Sequence, residues 1–186
     1  MKKEIIALCG NISSGKSSVG EKLSQVLSME HYKASDKFRS WAREADMTLV
    51  EYNEYVKKNP ELDRKMEMST GEYAKEHNKI IIDARLGFFV VPYSFKVYLS
   101  VDLDTATSRM MGDLVRRGEE EKYSSFAEAK QAIISRENAE RDRYLKLYGV
   151  DIRDKKNFDL IVDTSHLTPD EVVNKIVSEY KLWLEK

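Results

Sequence analysis

Eight residues near the start of the chain, Gly10-Asn11-Ile12-Ser13-Ser14-Gly15-Lys16-Ser17, restrict its fold more than any other feature. They follow the apolar run Ile5-Ile6-Ala7-Leu8-Cys9 and precede Val19, Leu23, Val26 and Leu27, which are spaced as one face of a helix. A short apolar run without polar alternation is expected of a strand covered on both faces. The eight residues meet G-x-x-x-x-G-K-[ST] at every fixed position, and strand before and helix after is the context in which this pattern cradles phosphate. Its glycines let the backbone curl, so that successive N–H groups and the helix N-terminus point inward at an anion; side chains there would block the approach. Lys16 is expected to reach the β- and γ-phosphates of ATP as a point charge, and the Ser17 hydroxyl to ligate Mg²⁺. Ser13, Ser14 and Ser18 are small polar residues lining the same cradle.

Further along, Ile80-Ile81-Ile82 ends at Asp83, Lys96-Val97-Tyr98-Leu99-Ser100-Val101 ends at Asp102, and Leu160-Ile161-Val162 ends at Asp163. Each reads as a strand closed by a carboxylate, and a shorter strand is expected near His31–Ala34. Helical segments alternate with these strands, the pattern of a parallel sheet with crossover helices. Thr48-Leu49-Val50-Glu51 and Ser125-Phe126-Ala127-Glu128 read as capping boxes. Asn59-Pro60 and Thr168-Pro169 each place a cap before a proline at the first helical position. The last helix carries one apolar stripe, Val172, Val173, Ile176, Val177, Tyr180 and Leu184, which belongs to the core.

The chain has 186 residues, enough for one compact domain with small inserts. Lysine and arginine total 31 against 32 for aspartate and glutamate, a formal charge of −1. No global pull toward nucleic acid or membrane follows, and any anion site must be local. The lone Cys9 reads as a buried structural thiol with no intrachain partner, which fits a reducing cytoplasm. The apolar run after Met1-Lys2-Lys3-Glu4 is too short for a signal peptide, so the start reads as mature. No stretch approaches the roughly 20 apolar residues needed to span a bilayer. The three histidines, His31, His77 and His166, show no ligand spacing.

A phosphate loop gives nucleotide binding, not a reaction. Guanine-reading N-K-x-D is absent, and Asp83-Ala84-Arg85-Leu86-Gly87 is not the D-x-x-G of a GTPase switch. Arginines are abundant instead: Arg39 and Arg64 on the early helices, Arg85 after a strand, and Arg109, Arg116, Arg117, Arg136, Arg141 and Arg143 later on. The planar guanidinium fork binds phosphate in bidentate fashion and keeps its charge. Phosphoryl transfer depends chiefly on holding donor and acceptor in line and neutralising the transferred group. An acceptor that is itself a phosphate is already anionic near neutral pH and needs no general base. About half of these arginines are expected to pair with carboxylates instead, as Arg136 and Glu140 can at i,i+4 spacing. Asp83 stands where a carboxylate could orient Mg²⁺ through water.

Taken together, the residues resemble the cytidylate kinases, in particular the short form typical of archaea. The resemblance runs from the phosphate loop through Ser35-Asp36-Lys37-Phe38-Arg39, Met47–Asn53, Asn59–Arg64 and Ile81–Leu86 to Arg136–Tyr144, Tyr148–Asp151 and Asp163-Thr164-Ser165. It implies transfer of the ATP γ-phosphoryl group to CMP or dCMP. It also implies that Arg39, Arg85, Arg136 and Arg143 hold the acceptor nucleotide and its phosphate, with Glu140 on the sugar side. Ser35, Asp36 and Arg64 would add contacts from the acceptor-binding helices. Arg109, Arg116 and Arg117 fall in or beside a lid over ATP, and the Asp163-Thr164-Ser165 turn would lie against adenine. Three features depart from the family pattern: Ala84 replaces a glycine, Leu86 stands where longer members carry an aspartate that reads cytosine, although the short form also has leucine there, and the loop residues Gly10–Ser14 differ from the usual filling without breaking its fixed positions.

The expectation is therefore a three-layer α/β P-loop fold with a parallel sheet of about five strands. It is read as a single domain over 1–186, with an acceptor-binding insert near 35–78 and a lid near 111–124. Expected ligands are ATP, Mg²⁺ and a nucleoside monophosphate, and the expected state is a cytoplasmic monomer. Two alternatives stay open: a P-loop kinase for another small acceptor, and a nucleotide-binding regulatory protein without transfer activity.

Overall fold

The computed structural model describes residues 3–117 and 123–186, with side chains described up to Val115 and again from Tyr123. Five parallel strands form one sheet in the order β2-β3-β1-β4-β5: β1 (Ile5–Gly10), β2 (Glu30–Lys33), β3 (Ile80–Asp83), β4 (Phe95–Ser100) and β5 (Leu160–Asp163). The expected α/β architecture of about five strands is what the chain adopts. β1 occupies the centre, with Ala7 opposite both Ile82 and Lys96. Its six residues are all buried because both faces are covered. Ile6 and Leu8 pack under α1 (Lys16–Leu27) and α8 (Pro169–Leu184), against Val19, Leu23, Val173 and Ile176. Ile5 faces Ala74 and Val91 on the opposite side, and Cys9 faces Leu86 and Tyr144. Burial of each large apolar side chain contributes roughly 1.5–3 kcal/mol, which anchors the strand that feeds the loop.

Between β2 and β3 lie three helices, α2 (Ala34–Glu44), α3 (Leu49–Lys58) and α4 (Pro60–Glu76), with their own small core of Ala42, Tyr52 and Val56. The short α5 (Gly87–Val90) follows β3, while α6 (Leu103–Arg117) and the 23-residue α7 (Phe126–Tyr148) link β4 to β5. The expected lid, near 111–124, lies in part outside the described residues, as do the side chains of Arg116 and Arg117. No helix among the described residues is long and apolar enough to cross a membrane.

Most expected boundaries are met, and the differences have local causes. The second strand covers Glu30–Lys33, since α2 already starts at Ala34. Thr48 forms its capping box with Glu51, and Thr168 forms another with Glu171 that the T-x-x-E spacing carries. Each such cap contributes about 1 kcal/mol. Ser125 does cap α7, but the Glu128 carboxylate reaches back to the amide and hydroxyl of Ser124, so the box is displaced by one residue. Asn59 does not cap α4; its side-chain amide donates to Tyr55 O (2.7 Å) and closes α3 instead.

Candidate active site

The carboxyl ends of β1 and β3 meet the N-terminus of α1, and the donor side of the site is built mostly from backbone. Gly10 has φ +143°, and a Cβ there would stand 2.2 Å from Leu99 O, so only glycine lets β1 turn away beside β4. The Asn11 amide then donates to Leu99 O (3.0 Å). Gly15, at φ +86°, begins α1 with no side-chain cap and with open space where a Cβ would be. The orphan amides of the first turn therefore face the cleft unobstructed, which is the cradle an anionic polyphosphate fits. Lys16 Nζ donates to Asn11 O (2.8 Å) and Gly10 O (3.2 Å). Removal from water, and then the charge of Arg85, lower its pKa to about 7; phosphate oxygens at this position would favour the charged form.

Ser17 Oγ donates to Asp83 Oδ2 (2.9 Å), joining the first turn of α1 to the end of β3. Hydroxyl and carboxylate oxygens suit Mg²⁺, which keeps much of its water and needs few protein ligands. Among the described residues no group of three or more His, Cys, Asp or Glu could hold a metal. Mg²⁺ would thus rest on Ser17, on Asp83 through water, and on phosphate oxygens. The largely buried His31 ring lies 3.9 Å from Asp83 Oδ2, and burial lowers its pKa.

A second wall rises from α6 and the turn after β5. Arg109 donates to Thr164 O (2.6 Å), Thr164 Oγ1 (3.1 Å) and Ser13 O (3.5 Å). Thr164 Oγ1 in turn lies 3.0 Å from Ser100 O and 3.2 Å from Ser14 O. Asp163 Oδ1 accepts from the Ser165 amide and hydroxyl, which fixes the turn. Between this wall and the loop opens a cleft of about 470 Å³, lined by Gly15, Ser18, Arg109, Gly112, Thr164 and Leu167, a size that suits a nucleoside.

The acceptor side is made of side chains. Arg85, just past β3, donates from Nη1 to Gly10 O, and its Nε lies 3.1 Å from Glu140 Oε2 on α7. Arg136 Nε reaches the other Glu140 oxygen (3.2 Å), so one carboxylate holds two guanidinium groups. One turn on, Arg143 stacks over the Tyr144 ring and its Nη1 lies 3.1 Å from Asp63 Oδ2 on α4. Asp63 is buried and also accepts from Tyr148 Oη (2.8 Å). Glu67, one turn further along α4, is buried as well; desolvation and then the Asp63 charge push its carboxyl up to about 8, against the pull of Arg143. Leu86 is fully buried with Cys9 and Phe88, and burial pushes the Cys9 thiol up to about 12.

The structure thus brings together the loop, Lys16, Ser17, Asp83, Arg85, Arg136 and Glu140, and sets Arg143 one turn beyond. Ser35, Asp36 and Arg39 form an exposed group on α2, where Arg39 donates to Asp36 (2.7 Å) and Ser35 (3.3 Å); among the described residues no bond joins them to Arg85 or Arg143. Arg64 is exposed on α4, one position from the buried Asp63. Sequence reasoning missed Asp63, Glu67 and Glu137. The first two carry a legible sign, two acids at i,i+4 on the same face of α4 as Thr70, Gly71 and Ala74.

The model of the cytidylate kinase-like family matches residues 5–166. This chain belongs to that family. It is 35% identical over 174 residues to a cytidylate kinase of Ignicoccus hospitalis, covering 92% of this chain and 96% of that one. It is 36% identical over 169 residues to one of Thermococcus kodakarensis, covering 90% and 83%. An S-adenosylmethionine-dependent nucleotide dehydratase of Lacinutrix mariniflava is 33% identical over 180 residues, 96% of this chain and 36% of that protein, so this chain spans about a third of that relative. The fold is shared with a shikimate kinase of Bacteroides thetaiotaomicron (TM-score 0.63, 15% identity, 98% and 99% covered) and a gluconokinase of Sinorhizobium meliloti (0.59, 14%, 99% and 95%). As a member of the family, the chain is a kinase, a phosphotransferase of the P-loop class.

Proposed function

We propose that this family member transfers the γ-phosphoryl group of ATP to a nucleoside monophosphate, CMP or dCMP, giving the diphosphate and ADP. One observation carries the reading: Lys16 and Arg85 both donate to the carbonyl of Gly10. The cation suited to the donor phosphates and a cation suited to the acceptor phosphate thus stand beside a single backbone atom, where an in-line transfer needs them. The relatives named cytidylate kinase support cytidine as the acceptor nucleoside.

The loop amides and Lys16 bind the donor chain and neutralise charge as it shifts toward the leaving group. Ser17 with Asp83 would hold Mg²⁺, which would supply positive charge to offset that of the phosphates. Glu140 keeps Arg85 and Arg136 aimed together, and an acceptor phosphate would displace its carboxylate from one or both. No side chain need remove a proton from a phosphate acceptor. The helices α2–α4 serve as the acceptor-binding insert. The protein is expected to act as a monomer.

The test offers CMP, dCMP, UMP and AMP in parallel with Mg-ATP, with shikimate and gluconate as hydroxyl acceptors, and follows both ADP and the phosphorylated product. Turnover at least tenfold faster with CMP or dCMP than with any other acceptor is expected. Tight ATP binding with no product from any acceptor would leave a regulatory nucleotide-binding protein as the reading.

A further inference from the structure

Glu137 lies on α7 between the acceptor residues Arg136 and Glu140, yet it faces the phosphate loop. Its Oε1 accepts from the Ile12 amide (3.0 Å) and from the Asn11 side-chain amide (3.0 Å). Its other oxygen, Oε2, lies 3.9 Å from Arg153, whose guanidinium also donates to Asn138 Oδ1 (3.0 Å). Loop and α7 touch a second time, because the buried Ile12 side chain packs with Ile133 and Ala106. The loop is therefore fastened from below by β4, through Asn11 N to Leu99 O, and from above by one oxygen of Glu137.

We propose that Glu137 is a positioning residue that sets the distance and angle between the donor loop and the acceptor residues of α7. The chemistry of the three groups supports this. A bond from a charged carboxylate to a backbone amide is stronger than a neutral one, and it holds backbone, not a mobile side-chain tip. The Ile12 amide lies one residue beyond Asn11, whose carbonyl accepts from Lys16. Arg136 and Glu140 flank Glu137 at i−1 and i+3, and Glu140 holds Arg85. A shift of α7 against the loop would change the separation of the two phosphates without removing a ligand from either. Misplacement by about 1 Å costs on the order of 10²-fold in such transfers, because the gain from proximity depends on near-attack geometry. Glu137 is thus expected to act on the rate of transfer and hardly at all on the affinity for either substrate. The kinetic part of this inference rests on the proposed phosphoryl transfer; the fastening of the loop does not.

The experiment compares the wild-type chain with Glu137→Ala and Glu137→Gln. Amide hydrogen exchange at Ile12 is followed alongside kcat, both KM values and thermal unfolding. In Glu137→Ala the Ile12 amide should lose its protection, and kcat with CMP should fall by about 10-fold to 100-fold while both KM values stay within about threefold. Glu137→Gln keeps an acceptor oxygen and should regain most of the protection and of the rate. The proposal is overturned if Ile12 stays protected in the alanine variant, if the loss falls on KM with kcat intact, or if glutamine is as damaging as alanine. Absence of turnover in the wild type would defeat the proposed reaction, while the exchange at Ile12 would still decide whether Glu137 fastens the loop.

Discussion

On the proposed donor side the groups offered to a ligand are backbone amides whose direction is fixed by two glycines and a helix start; on the proposed acceptor side they are guanidinium groups already held by carboxylates. Gly10 and Gly15 offer the anion a cradle that needs little rearrangement. Arg85, Arg136 and Arg143 instead are paired with Glu140 and Asp63. An acceptor phosphate would therefore compete with an existing ion pair, whereas a donor phosphate would meet the first-turn amides of α1 without a side-chain cap, although the Ile12 amide of the loop is held by Glu137. On the proposed reaction, one cleft would bind two polyanions by unlike means: pre-set dipoles for the donor and exchangeable ion pairs for the acceptor. Exchange against a carboxylate also discriminates, because a weakly charged ligand gains less from the guanidinium than Glu140 already does.

Substitutions can break this contrast. The largest effect is expected from Lys16→Ala, which removes the only side-chain cation held against the loop carbonyls of both Gly10 and Asn11 among the described residues. A fall in kcat of about 10²- to 10³-fold is expected, and a variant keeping more than a tenth of the wild-type rate would remove Lys16 from its assigned role. Arg85→Ala comes next. It should raise the KM for the monophosphate by about 10-fold or more while the ATP dissociation constant, read by calorimetry, moves by less than about threefold; an equal loss of ATP affinity would mean that the two sides are not separable.

The smallest effect sharpens the acceptor side alone. Glu67 keeps its proton in the folded chain up to about pH 8, while its ordinary value is 4.5. Between those values the unfolded chain has released the proton and the folded chain has not, so this group makes stability fall as pH rises. Glu67→Gln cannot ionise. The melting temperature of the variant, relative to wild type, should climb by a few degrees between pH 5 and pH 8 and then level off. A difference that stays flat with pH would show that Glu67 ionises freely and is not sealed beside Asp63.

Much of this was legible in the chain itself, and the pattern of what was not has a physical cause. The strands and the loop depend on residues within ten positions of one another, so apolar runs, glycines and Gly-Lys-Ser carried them. The Arg136–Glu140 pair is also local and was expected from spacing. Arg85 with Glu140, and Arg143 with Asp63, join residues 55 and 80 positions apart, and sequence spacing is silent about such meetings. Glu137 escaped because an acid amid charged neighbours on a helix reads as solvated surface until the loop is seen against it. Asn59 and Glu128 show the same limit at short range, since each had two backbone partners within reach and took the one that spacing alone did not favour.

The apolar contact of Ile12 with Ile133 and Ala106 has a consequence for working temperature. It clamps the proposed seat of the phosphates between the central strand and the helices α6 and α7, so the packing of that joint would set how firmly the loop is held. A lineage moving to colder or hotter surroundings could retune its pace by trimming or filling that small greasy joint, leaving every charged group where it stands.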